Sequence, residues 1–232
     1  MADELPPEVR ERTRVSYWYR RANIPENLWS TDWERFEGMA TEEASDAAFE
    51  LADAWVNEDG FRGLAIFGNS GVGKTTVLAT MLCSLIRATM PRTILGLFSD
   101  DPKGYFVTLA DYHRLYLRSY ELDRWAARGE GNNAELYAEW EQNFMLRRFI
   151  EEEVPHLVLD DVGKEHTTAS GAAEDEFHAL IRGRYARGLS TSITSNLQPG
   201  GFKGAYGEAQ YSFVQEACQV FHVEGDDLRE TL

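Results

Sequence analysis

With 232 residues the chain can bury one full core and a short extra arm, and it is too short for a second large domain. Its composition, 43% hydrophobic and 12% aromatic with no repeat or low-complexity tract, is that of an ordinary globular protein. A formal net charge of -16 argues against a general nucleic-acid coat protein, whose affinity comes mostly from neutralising phosphates, although a local basic patch fits inside an acidic envelope.

The opening residues, MADELPPEVRERTRVSYWYRR, put charges where a signal peptide needs an apolar stretch. No run approaches membrane-spanning length, so a cytosolic protein with no membrane partner is expected. After Pro6-Pro7, residues 8 to 21 are expected to be helical, with Arg10, Arg12, Arg14, Arg20 and Arg21 partly balanced by Glu8 and Glu11. A solvated helix is one reading; the other is a helical arm over residues 1–23 that docks a partner, ahead of a core over 24–232. Ile24-Pro25 breaks the pattern, and residues 41 to 57 read as an amphipathic helix that ends near Asn57-Glu58-Asp59-Gly60.

GLAIF (63–67) is a short apolar run bounded by glycine, as a buried parallel strand requires. A glycine-rich turn follows, and then TTVLATMLCSLIRATM, a helix pattern that stops at Pro91. YFVTL (105–109) reads as a second strand running into a helix over about 110 to 120. Residues 121 to 133, with Gly129, Gly131, Asn132 and Asn133, read as a loop, and a helix over 134 to 152 ends before Pro155. HLVLDD (156–161) and STSITSN (190–196) are the third and fourth strands, separated by a helix from Ala172 to Arg187. Beyond Pro199 the chain offers one more helix (207–218) and the apolar run VFHV, too little for a full helical lid. Strands alternating with helices predict an α/β fold, a mostly parallel sheet with helices on both faces. Cys83 and Cys218 lie far apart in apolar patterns with no CxxC pair, so they read as buried free thiols and not as zinc ligands.

GNSGVGKTT (68–76) carries Gly68, Gly73, Lys74 and Thr75 at the fixed places of G-x-x-x-x-G-K-[ST]. Its glycines let the backbone wrap phosphates, and the N–H groups of Asn69, Ser70, Gly71, Val72 and Thr76, with the helix N-terminus, favour negative charge. Lys74 would reach the β- and γ-phosphates of ATP, and the Thr75 hydroxyl would coordinate Mg2+. Such a loop needs an acid at the tip of a neighbouring strand. LVLDD supplies Asp160 for the metal side, then Asp161 where a water-orienting or proton-accepting group would sit. Asn196, ending STSITSN, either holds the attacking water or γ-phosphate, or simply caps its strand.

Read in order, GNSGVGKTT, YFVTLADYHRLYLRS, LVLDDVGKEHTT, IRGRYARGLSTSITSNL and AYGE resemble the DnaC/DnaI helicase-loader ATPases, with the IstB transposition helpers as close relatives. The resemblance runs from about Ile24 to the C-terminus. It implies an AAA+ P-loop NTPase core that uses ATP and Mg2+ to deliver a replicative DNA helicase onto single-stranded DNA, assembling with itself on the helicase ring. It makes Asp161 the catalytic carboxylate, Asn196 the first sensor and Arg229 the second.

Two departures from the family follow. Its members place an arginine on the helix after AYGE, acting in trans on a neighbour's ATP, whereas GEAQYSFVQEAC has none and Phe213 falls at that place. Arg182, Arg184 and Arg187 are the candidate substitutes, the alternative being a basic helix end that caps its own carbonyls. Members also commonly carry a separate helicase-binding domain at the N-terminus. Here only about 23 residues precede the core, the compact form expected of a phage-encoded loader, so the short arm would have to dock.

Tyr112, Tyr116 and Tyr120 recur at i, i+4, i+8, interleaved with Arg114 and Arg118 and followed by Arg124, Trp125 and Arg128. Aromatics with arginines suit single-stranded DNA, and the same spacing also suits a helix side turned to the core. The leading expectation is a helicase-loading ATPase. Its alternatives are a transposase helper that shares every motif, and a nucleotide-gated helicase-binding module that hydrolyses ATP poorly. A small-molecule kinase is disfavoured by the Asp160-Asp161 pair and the lack of an arginine-rich lid.

Overall fold

The computed structural model describes residues 6–56, 62–91, 101–128, 133–163 and 172–228. The chain opens with α1 (Pro7–Arg21), passes through 3₁₀ turns at Glu26–Leu28 and Trp33–Phe36, and enters α2 (Glu42–Val56). β1 (Gly63–Gly68) and α3 (Lys74–Thr89) follow, then β2 (Gly104–Thr108), α4 (Leu109–Ala127) and α5 (Ala134–Arg148), which ends in a π turn at Phe149–Glu153. The remainder is β3 (His156–Val162), α6 (Ala172–Ala186), β4 (Ser190–Ser195), α7 (Pro199–Tyr206), α8 (Glu208–Ala217) and β5 (Cys218–Val223). The five strands form one sheet in the order β2-β3-β4-β1-β5, with every pairing parallel.

Side-chain alternation along the strands feeds two cores, one on each sheet face. Leu64, Ile66, Phe106 and Val158 point to the face covered by α1, α2 and α3. Ala65, Phe67, Val107, Leu157, Leu159 and Ile193 point to the face covered by α4, α6, α7 and α8. Each core holds one free thiol, Cys83 in the first and Cys218 in the second; burial pushes their pKa values up to about 11 and about 12.

The first helix has two unlike halves. Its last turn buries Trp18 and Tyr19 in the α3 core, while Glu8, Glu11 and Arg12 are exposed. Deleting residues 1–21 would therefore strip the core, and a docking test on this segment must use surface substitutions.

Three element readings need correction. The expected loop at 121–133 is helical as far as Ala127, because Leu122, 2% exposed, continues the buried side of α4. Residues 149–153 form a π turn where continuous helix was expected. An unread helix, α7, forms despite Gly200, Gly201 and Gly204: Pro199 starts it, and the i, i+4 pair Phe202 and Tyr206 is buried against Phe177.

His156, which opens β3, stacks on Trp55 with ring centroids 4.0 Å apart, and burial, aided by Arg184 and Lys103, pulls its pKa down to about 3. Unfolding frees it to titrate near 6.5, so the unfolded chain takes up a proton that the folded chain refuses until about pH 3. The neutral ring's contribution is intact above pH 6.5 and is lost as pH falls toward 3. A His156→Phe variant is expected to show a smaller drop in melting midpoint than the unaltered chain across that window. An identical drop in both would remove His156 from the acid response.

Candidate functional site

The phosphate loop joins β1 to α3 at the C-terminal end of the central strands, where the sheet's helix N-termini gather. Gly71 and Gly73 adopt positive φ of 83° and 96°, which lets the chain curl around to start α3 at Lys74. A Cβ on Gly71 would also collide with the Asp227 carboxylate.

Lys74 is 5% exposed, and its Nζ donates to the Gly68 carbonyl (2.9 Å), the Asn69 carbonyl (2.6 Å) and Asn196 Oδ1 (2.8 Å). Asn196 Nδ2 in turn donates to Asp161 Oδ1 at 3.2 Å. The Thr75 hydroxyl donates to Asp160 Oδ1 at 2.8 Å, and Thr194 Oγ1 donates to the same oxygen at 2.6 Å. Lys74, Thr75, Asp161 and Asn196 line one cavity of about 140 Å³, together with Ser70, Gly71, Gly73, Thr76, Arg35, Phe36, Met39 and Leu228.

In a regular strand Asp160 and Asp161 would face opposite sides of the sheet. Here that alternation is broken: the β3–β4 register shifts between Leu159 and Val162, and Asp161 takes a left-handed φ of 58°. Aspartate tolerates that region better than most residues. The Asp161 N–H is held by Thr194 Oγ1 at 3.0 Å, so one hydroxyl supports both acids. Thr194 was not picked out from the sequence; its signal is a strand with a hydroxyl at almost every position. Ser190, Ser192, Thr194 and Ser195 are all at most 1% exposed, and each bonds to a neighbouring strand or to the segment leading into one.

The candidate arginines separate. Arg184 is fully buried and bridges the π turn, the segment leading into β3, and β4, so its assignment as an arginine acting on a neighbour is corrected. Arg187 donates to the Gly183 carbonyl of its own helix (2.9 Å) and pairs with Glu152 (3.0 Å). Arg182 is exposed and lies 4.3 Å over the ring of Phe213. Arg229 falls outside the described residues.

On α4, Tyr112 is core, 2% exposed, with its hydroxyl donating to Glu151, whereas Tyr120 is 56% exposed beneath Arg124. Trp125 is half-buried. Arg114 pairs with Asp111, and Arg118 binds Glu139 through two nitrogens (2.7 and 2.8 Å). Carboxylates thus already hold two of the expected phosphate-contacting cations. α5 buries no residue and carries a run of rings that the sequence reading missed, exposed Tyr137 and Phe144 with half-buried Trp140 between them, Trp140 and Phe144 being stacked at 5.8 Å. The i, i+3, i+7 spacing was its signal.

No protein-family model and no curated protein sequence matches the chain. Among solved structures it is similar to DnaI at a TM-score of 0.58 and 17% identity, over 90% of this chain and 98% of that one. It is similar to the DnaC helicase loader at 0.57 and 19% identity, over 86% and 99%. Domain III of the Thermotoga maritima replication initiation protein DnaA aligns at 0.56 and 18%, over 88% and 70%. The chain shares the α/β fold of these structures, a parallel five-stranded sheet with helices on both faces, with no lid domain among the described residues.

Proposed function

We propose that this chain is a Mg-dependent ATPase that loads a replicative DNA helicase onto single-stranded DNA in the cytosol. The observation that carries the reading is the convergence of Lys74, Thr75, Asp160, Asp161 and Asn196 at one phosphate loop. Its support is a fold shared along almost the full length of the DnaC helicase loader and of DnaI.

The loop N–H groups and the α3 N-terminus bind the triphosphate, and Lys74 neutralises its charge. Thr75 and Asp160, joined by a hydrogen bond, would hold magnesium, which would supply charge neutralisation at the β- and γ-phosphates. Asp161 orients the attacking water and takes its proton, while Asn196 fixes both the Asp161 carboxylate and the Lys74 ammonium. In an assembly on the helicase ring, Arg182 is the arginine we assign to a neighbour's ATP, since its guanidinium stands over the Phe213 position. The basic and aromatic surface of α4 and α5, with Arg124, Trp125 and Trp140, is the face we assign to single-stranded DNA.

Phe213 favours one second reading, a nucleotide-gated module that binds the helicase with little turnover. The test is co-purification with the replicative helicase of the same host, with ATP, for the unaltered chain and for Lys74→Ala. A complex whose release depends on Lys74 is expected. No complex under any nucleotide condition would overturn the loader reading and favour a transposase helper.

A further inference from the structure

The cavity at the phosphate loop has two chemically distinct ends. Lys74, Thr75, Asp161 and Asn196 make one end polar, while Phe36, Met39 and Leu228 make the other apolar. The apolar end is built by segments remote in sequence from the loop. Phe36, 2% exposed, anchors the 3₁₀ turn before α2, and the Leu228 N–H donates to the Gly71 carbonyl at 3.2 Å, fastening the segment after β5 to the loop. Thr41 is fully buried with its hydroxyl unpartnered, and that oxygen lies 3.6 Å from where a Cβ on Gly73 would sit. An apolar slot beside the phosphate loop suits a flat heteroaromatic ring more than it suits another phosphate.

Arg35 stands at this end. Its backbone N–H donates to Asp32 Oδ1 at 3.2 Å, which fixes the turn, and its side chain is exposed and lines the cavity. Among the described residues it is the one arginine lining the cavity, and no acidic side chain there pairs with its guanidinium. A planar, weakly hydrated cation beside an apolar slot stacks on an aromatic face at little desolvation cost.

We propose that Arg35 is a positioning residue whose guanidinium covers the base of the bound nucleotide, holding the triphosphate in register with Lys74 and Asp161. This rests on reading the loop as an ATP site. The test measures Kd for Mg–ATP and for Mg–tripolyphosphate, which has no base, on the unaltered chain, Arg35→Ala, Arg35→Lys and Lys74→Ala.

Arg35→Ala is expected to weaken ATP about tenfold and leave tripolyphosphate unchanged, with the nucleotide-free melting midpoint unmoved. Arg35→Lys keeps the charge without the plane and is expected to stay weak for ATP. Unchanged ATP affinity in Arg35→Ala, equal weakening of both ligands, or full rescue by Arg35→Lys would each overturn the proposal. A Lys74→Ala chain that binds both ligands normally would instead overturn the ATP-site reading, and this proposal with it.

Discussion

Replacing Asp161 with Asn is expected to lower ATP turnover about 100- to 1,000-fold while Mg–ATP affinity stays within about threefold, the range lost when a positioned general base is removed. The substitution isolates the charge. Asparagine accepts the left-handed backbone that Asp161 occupies at φ 58°, so the bulge in β3 survives. Its amide oxygen still accepts from Asn196 Nδ2, and its N–H still meets Thr194 Oγ1. What disappears is the carboxylate's capacity to take a proton from water beside Lys74. Steady-state turnover, with binding measured separately, reads the two effects apart. An undiminished rate would mean that the acid at this place does no chemistry, and would remove Asp161 as the catalytic carboxylate.

The second large effect is on stability. Arg184→Met should cost about 3–5 kcal/mol, as stripping several buried carbonyls of their donor does, and lower the melting midpoint by roughly 10 °C for a chain of this size. Its guanidinium donates to the carbonyls of Ile150, Val154 (3.0 Å), Pro155 (3.5 Å) and Ser190 (2.7 Å), and to Thr191 Oγ1 (2.9 Å). Burial pulls its pKa down to about 9, yet it stays charged at neutral pH, and the ring of carbonyl oxygens compensates it. Methionine offers no donor, which removes the guanidinium's hydrogen bonds to the buried carbonyls of Ile150, Val154 and Ser190, while Pro155 keeps its bond from the Ser190 N–H. Thermal melting checks this, and a loss below about 1 kcal/mol would mean that water replaces the guanidinium there.

The phosphate loop and three of its strands were legible because each rests on a local rule. Gly-bounded GLAIF, LVLDD before Gly163, and STSITSN before Pro199 all match buried parallel strands. What stayed hidden depends on contacts distant in sequence. Nothing near Thr194 says that its hydroxyl will serve Asp160 across 34 positions. The left-handed turn at Asp161 follows from a register shift against β4, which is a property of the pair. Arg184 looks like any exposed helix-end arginine until the π turn, the segment leading into β3, and β4 close around it. In α7 the glycines outweighed the Phe202–Tyr206 pair, and tertiary packing reversed that balance.

The one-thiol-per-face arrangement of the cores makes the chain its own unfolding gauge. Cys83 lies among α1, α2 and α3 and Cys218 under the helices of the opposite face, each protected by burial and a raised pKa. A pulse of alkylating reagent therefore marks only molecules that have opened, and peptide mapping tells which side of the sheet opened first. Equal labelling at both cysteines would describe one cooperative unit, and early labelling at Cys218 would describe a face that loosens on its own. No tag or engineered cysteine is needed to ask whether nucleotide stiffens the side carrying α1 or the side carrying α6.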